Sequence, residues 1–289
     1  MMLAVHFSNF TVPGEPASLA GAIAATAKAA DDGGCEAMTV MDHWFQMESR
    51  APATDPMLEA YTTLGYIAAL TSRLKLGTLV TGVTYRHPGL LAKTVATLDV
   101  LTEGRAFLGI GAAWYEREHL ALGVPYPPIS ERFERLEEAI QICEQMWSDH
   151  EGPYEGEYYH LAETICRPKP IQRPRPPILI GGSGEQKTLK LVAQYADACN
   201  LFGADLETVE HKLAVLDAHC EAIGRDPQEI TRTAINLGDP LGDIDEFLAR
   251  MEKFSAAGIS QIWVTAVPPD PAGYVARMCE EVLPRLAEI

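Results

Sequence analysis

The sequence predicts an α/β fold, a parallel (β/α)8 barrel, on three observations. Short β-rich runs alternate with longer stretches of helical period along the chain, the pattern of a parallel sheet with crossover helices. Eight such units can be counted, and eight favour closure of the sheet on itself. The turn after the first strand, Asn9-Phe10-Thr11-Val12-Pro13-Gly14, lacks the G-x-G-x-x-G pattern that an open doubly wound sheet usually carries there. At 289 residues the length suits one barrel domain, since such barrels commonly need about 250 residues.

Leu3 to Ser8 is the first strand, and an alanine-rich helix from Ser18 to Asp32 ends at the stop signal Gly33-Gly34. Glu36 to Met41 is the second strand; Met57 to Ser72 is its helix, with apolar positions at Leu58, Tyr61, Leu64 and Ala68. Leu74 to Val80 is the third strand, and Pro88 opens the next helix at a first-turn position that tolerates its missing N–H. Arg105 to Ile110 is the fourth strand, and Ser130, Glu131 and Glu134 start an amphipathic helix that runs to Trp147. Over about 149–176 the periodicity gives way to Gly, Pro and aromatic residues, so an inserted hairpin and loop is expected within a single domain covering 1–289. Strand Pro177 to Ile180, helix Glu185 to Tyr195, strand Ala198 to Phe202, helix Leu206 to Ile223, strand Ile230 to Leu237, helix Ile244 to Ala257, strand Gln261 to Ala266 and helix Ala272 to Leu286 complete the count.

Hydrophobic residues make up 47% and charged residues 22%, the balance of a soluble protein with a large core. A formal charge of −17 repels a phosphate backbone and no basic run interrupts it, which argues against nucleic acid as a partner. No apolar stretch is long enough to span a bilayer, and Met1 to Phe10 lacks the charged head of a secretory signal, so a cytoplasmic protein with a small-molecule substrate is expected. The six cysteines are scattered without a C-x-x-C pair and read as buried, reduced thiols.

In a parallel barrel the chemistry sits just after the strands, at their C-terminal ends. Asp42-His43-Trp44-Phe45 follows the second strand, a carboxylate, an imidazole and two aromatics suited to holding a flat ring and moving a proton. A loop-capping Asp42 and a satisfied core His43 explain the same residues. Thr81-Gly82-Val83-Thr84-Tyr85-Arg86-His87 follows the third strand; Gly82 permits close approach and Arg86 suits an anion, while the residues alone favour a plain turn before the helix that Pro88 opens. Gly109-Ile110-Gly111-Ala112-Ala113-Trp114 offers small residues and then an aromatic wall, or simply tight backbone packing. Gly181-Gly182-Ser183-Gly184 leads into a helix and presents backbone N–H groups to an anion, although such turns also occur without a ligand. No metal site is expected, because the eight histidines form no H-E-x-x-H and no close cluster with carboxylates.

Several of these segments occur together and in order: Met41-Asp42-His43, the run Arg73 to Pro88, Leu98-Asp99-Val100-Leu101, Gly104-Arg105-Ala106, Gly109 to Trp114 and Pro177 to Gly184. In this the chain resembles the bacterial luciferase-like family of TIM barrels, and within it the F420-dependent oxidoreductases common in actinobacteria, over about residues 1–203. The resemblance implies coenzyme F420, with FMN as the alternative, and hydride transfer to or from a C=C, C=N or C=O group. It implies that Asp42 and His43 lie beside the deazaflavin ring, with His43 moving the proton and Trp44 forming a wall. Gly82-Val83 would be a strand-end bulge, often a non-proline cis peptide, under the middle ring. Thr81, Thr84, Gly111 and Ala112 would line the cofactor, and Gly181, Gly182, Ser183 and Gly184 would cradle its phosphate. The acidic oligoglutamate tail of F420 calls for cations, for which Arg50, Arg86, Lys187 and Lys190 are the candidates. A homodimer is compatible with the resemblance. The competing readings are an FMN-dependent monooxygenase, a non-catalytic flavin or deazaflavin carrier and, from the residues alone, a phosphosugar isomerase or aldolase, for which no lysine is clearly placed.

Overall fold

Period-two alternation decides which way each strand faces. In β1 (Met2–Phe7), Leu3, Val5 and Phe7 point outward into the layer between strands and helices, whereas Ala4 and His6 point into the barrel. The computed structural model describes residues 1–203 and 205–289. After β1 come α1 (Leu19–Gly33), closed by Gly34 at φ 87°, and β2 (Ala37–Val40). Helix α2 (Ala60–Ala68) is shorter than the predicted 57–72, because Glu59 caps it by accepting from Tyr61 N and Thr62 N.

The predicted third strand is two pieces, β3 (Lys75–Thr78) and β4 (Thr81–Gly82), followed by α3 (Pro88–Leu101) and β5 (Leu108–Gly111). The seven-residue helix α4 (Glu116–Leu122), which the periodicity did not predict, precedes α5 (Ile129–Trp147). The expected insertion carries the antiparallel ribbon β6 (Tyr154–Glu155) and β7 (His160–Leu161). Glu138 on α5 accepts from the backbone N–H groups of Glu157, Tyr158 and Tyr159 and so fastens the ribbon's turn.

The second half runs β8 (Ile178–Gly181), α6 (Thr188–Tyr195), β9 (Ala198–Phe202), α7 (Leu206–Ala222), β10 (Thr231–Ile235), α8 (Ile244–Ala256), β11 (Gln261–Thr265), α9 (Pro271–Glu281) and α10 (Leu283–Leu286). Asp205, Asp243 and Asp270 cap α7, α8 and α9 with side-chain oxygens. The single terminal helix expected from 272 to 286 breaks at Val282, where Pro284 in the first turn of α10 has no N–H to continue the ladder.

The nine-stranded sheet is parallel, in the order β3-β2-β1-β11-β10-β9-β8-β5-β4. Leu76 N donates to Arg105 O at 2.8 Å and Phe107 N to Leu76 O at 3.0 Å, which joins β3 to the chain entering β5 and closes the barrel. With β3 and β4 as one interrupted strand, the described residues form the eight-stranded barrel that the sequence predicts. Its lower interior is filled by Ala4, Ala37, Phe107, Leu179, Ile235 and Trp263. The six cysteines are free thiols, and Cys35 and Cys279 touch, Sγ to Sγ, at 3.4 Å.

The interruption between β3 and β4 is a non-proline cis peptide at Leu79–Val80, which corrects the expectation of one at Gly82–Val83. Gly82 is already back in the ladder with Gly111, and Val83 N donates to Gly111 O, so neither is displaced from the sheet. It is Val80 that leaves the strand. Its side chain fills the space that Cβ atoms on Gly111 and Gly181 would occupy, at 3.0 and 2.9 Å from its methyl groups.

A Cβ on Gly109 would overlap the carbonyl oxygen of Thr78, which backbone cannot yield. Gly109→Ala is therefore expected to cost about 3 kcal/mol or more, or to prevent folding. Gly21→Ala, in α1 with nothing within 4 Å, should stabilise by about 0.5–1 kcal/mol. Urea unfolding of the two variants against wild type measures both, and equal stabilities would contradict this account of the strand contact.

Candidate functional site

The C-terminal strand ends surround a cavity of about 650 Å³. Leu79 and Val80 form its ledge, with Gly82, Gly111 and Ala112 beside them. Trp114, Phe133 and Leu136 make an apolar wall, and His43 faces the space from the end of β2. His6, Asn200 and Asn236 add a polar lining.

His43 is held by a residue that the sequence did not single out. Its Nδ1 lies 2.7 Å from Oε1 of Glu118 on α4, and Glu118 Oε2 accepts from the backbone N–H of Trp44 at 2.8 Å and of Phe45 at 3.2 Å. Tyr85 donates its hydroxyl to the same carboxylate. Burial pushes the Glu118 carboxyl up, but the His43 and Tyr85 hydrogen bonds and charge outweigh it and hold the group below its ordinary value. An ionised carboxylate only accepts, so the Nδ1 of a neutral His43 carries the proton, and the Nε2 lone pair is left for the cavity that the ring lines.

Asp42, adjacent in sequence, turns the other way. It is buried and accepts from Arg86 Nε at 3.0 Å, Arg86 Nη2 at 2.8 Å and Thr81 Oγ1 at 2.8 Å. Tyr61 and Thr78 extend this network through Thr81, each 3.0 Å away. Arg86 also pairs with Glu59 and lies over the Tyr61 ring. Its charge is thereby committed within the protein and is not open to an acidic tail.

Of the other expected residues, Gly181 and Gly182 line the cavity, while Ser183 and Gly184 continue the turn toward α6. Trp44 stands behind His43, its ring packed on Tyr85 and His119, and the cavity's indole is that of Trp114. Val83 is core. Thr84 bonds His119 Nε2 at 2.6 Å, and His119 Nδ1 lies 2.7 Å from Tyr115 O. A carbonyl only accepts, so His119 donates from Nδ1 and accepts the hydrogen bond of the Thr84 hydroxyl at Nε2. Burial holds this imidazole below its usual value. Among the described residues no group of His, Cys, Asp and Glu suits a metal ion, and no helix is long and apolar enough to cross a membrane.

The chain matches the model of the luciferase-like monooxygenase family over residues 2–238. It belongs to the luciferase-like family. It is 35% identical over 217 residues to an F420-dependent glucose-6-phosphate dehydrogenase of Kineococcus radiotolerans, which covers 74% of this chain and 62% of that relative's length. The coenzyme F420-dependent tetrahydromethanopterin reductase of Methanopyrus kandleri has a similar fold, with a TM-score of 0.80, 20% identity and 99% of both chains covered. A monooxygenase of Streptomyces bottropensis does so with a TM-score of 0.76, 20% identity, 98% of this chain and 99% of that one.

In this luciferase-like barrel His6 supplies a pH-sensitive group. Burial, reinforced by the charges of Arg50 and His43, pushes its imidazole down to about 3. An unfolded imidazole takes a proton near 6.5, so the buried neutral ring opposes folding increasingly as the pH falls below about 6.5, by about 1.4 kcal/mol per unit until about 3. His6→Gln is expected to flatten the loss of unfolding free energy between about pH 6.5 and 4.5. Urea titrations at each pH test this, and parallel profiles for the two proteins would rule it out.

Proposed function

We propose that the protein is an F420-dependent oxidoreductase that moves a hydride between the deazaflavin and an electron-poor C=C, C=N or C=O group of a small molecule. The observation that carries the reading is the His43–Glu118 pair on the wall of a cavity whose ledge is Leu79–Val80. The F420 dependence named for the Kineococcus relative supports the choice of cofactor.

The residues present fit such a group. The ledge is apolar and bordered by residues with little or no side chain, as a flat tricyclic ring requires. The turn Gly181–Gly184 includes Gly182 at φ 123°, a conformation open to glycine, and leads into the start of a helix, where backbone N–H groups suit a phosphate. Leu79, Val80, Gly82, Gly111 and Ala112 would bear the ring, and Gly181, Gly182, Ser183 and Gly184 the phosphate. When bound, reduced F420 supplies a hydride from carbon 5 and, having carbon where flavin has nitrogen, reacts little with oxygen.

His43 moves the accompanying proton. In the oxidising direction its Nε2 takes the hydroxyl proton of an alcohol while the carbon gives up hydride; in the reducing direction the same atom returns a proton to the product oxygen. Glu118 fixes the ring's orientation and stabilises the imidazolium that exists between these events. Asp42 and Thr81 act at one remove, tying the end of β2 to the start of β4.

Fluorescence titrations with oxidised F420 and with FMN at moderate salt are expected to show tighter binding of F420. A preference for FMN would replace this reading by a monooxygenase, the activity in the family's description, and binding of neither would remove both. With an accepted substrate, His43→Ala should lower kcat by about 10²–10⁴ while leaving cofactor affinity nearly unchanged. Undiminished turnover in that variant would exclude His43 as the proton carrier.

A further inference from the structure

Arg50 differs from the other charged groups around the cavity. It lines the space, and its guanidinium reaches only neutral acceptors, Ser8 Oγ and Asn236 Oδ1, each at the long distance of 3.4 Å. No carboxylate pairs with it among the described residues. Arg86, by contrast, is consumed by Asp42 and Glu59. Desolvation weakens the hold of Arg50 on its proton, as expected where nothing negative compensates burial. His6 adds no charge of its own, since burial keeps it neutral.

Among the described residues, no Asp or Glu lines the cavity. The two carboxylates beside His43, Asp42 next to it in sequence and Glu118 bonded to it, are both turned into the protein and fully bonded. In a chain of net charge −17 this is a local reversal of sign: one guanidinium facing a cavity without a carboxylate. The loop that carries it is held in place. Gln46 Nε2 donates to Ser8 O at 3.1 Å, Tyr115 donates its hydroxyl to Glu48 at 2.9 Å, and Arg50 N donates to Met47 O at 2.8 Å.

We propose that Arg50, with Ser8 and Asn236 beside it, is a binding subsite for an anionic group of the substrate, a carboxylate or a phosphate. The guanidinium fork matches the paired oxygens of either group, and two charge-assisted bonds would replace two long neutral ones. The subsite lies at the ends of β1 and β10, whereas the glycine turn assigned to the cofactor's phosphate follows β8. A substrate gripped here shares the cavity with His43. The inference rests on the hydride-transfer reading only in giving the anion to a substrate; the anion site itself follows from the cavity.

The test titrates inorganic phosphate by calorimetry, and F420 by fluorescence, into wild type, Arg50→Ala and Arg50→Lys, with a melting curve for each protein. Phosphate binding is expected to weaken at least about tenfold in Arg50→Ala and less in Arg50→Lys, which keeps the charge but loses the fork, while F420 affinity changes by less than about twofold. Phosphate binding that is absent from wild type, or equal in wild type and Arg50→Ala, overturns the proposal. A parallel loss of phosphate and F420 also overturns it, by giving the guanidinium to the cofactor's own anions. Phosphate binding that depends on Arg50 in a protein that does not bind F420 supports the subsite and rejects the hydride-transfer reading. Should Arg50→Ala not fold, Arg50→Lys decides alone: affinity for phosphate equal to wild type counts against the proposal.

Discussion

Val80 occupies space that two facing residues leave by having no side chain, and the upper half of the barrel is organised around that contact. Gly111 and Gly181 stand on adjacent strands, β5 and β8, and both would place a Cβ against the Val80 methyls. Gly109 brings the backbone of β5 against Thr78 just below. The interrupted strand can therefore leave the ladder at Leu79, deliver an apolar ledge into the cavity and resume pairing at Thr81. Larger residues at the glycines would push the strands apart or drive Val80 out, and cores tolerate added volume poorly. The glycines at the strand ends serve this packing first, and whatever lies in the cavity meets Val80 rather than bare backbone.

Two carboxylates then fix the rim around the ledge, each by collecting donors from separate parts of the chain. Asp42 draws Arg86 and Thr81 to the end of β2, so the segment after β4 cannot drift from the segment after β2. Glu118 does the same for the loop after β2, with an imidazole, a phenol and two backbone N–H groups converging on one side chain. Buried charge is tolerable only with this number of partners. Adjacent residues meet opposite fates as a result: Asp42 is spent on structure, while His43, oriented by Glu118, keeps one nitrogen for the cavity.

The barrel was legible in the sequence because strand and helix periods alternate cleanly and because signals such as Gly33-Gly34 and Pro88 mark the breaks. The site was legible only in part. Asp42-His43, the glycines and the small residues of β5 were visible as chemistry at strand ends, but what each one does depends on contacts far away in sequence. Glu118 and His119 left no readable signal, since α4 inverts the usual pattern: both are fully buried, whereas Leu120 is 69% and Leu122 53% exposed. A reading by hydrophobicity turns that helix over. It is also only seven residues long, too short for periodicity to register. The displaced position of the bulge has a similar origin, because the identity of Val80 does not reveal that its niche is supplied by glycines thirty and a hundred residues later.

The distribution of charge follows from the same contacts. The acidity of the chain is a property of its solvated faces, and the cavity escapes it by geometry rather than composition. Asp42 stands between the lining residues Met41 and His43, and Glu118 bonds His43 itself, yet both carboxylates are drawn inward by donors, so their charge is neutralised where it stands. His6 is kept neutral by burial, and Trp114, Phe133 and Val80 contribute none. Among the described residues, what remains to set the sign of the cavity is a single guanidinium on a pinned loop. In water such a charge would be screened within about 10 Å at 0.1 M salt; half-enclosed beside apolar walls it acts at closer range and with less competition from solvent. The same inward turning of the carboxylates that orients His43 thus also clears the field in which Arg50 acts.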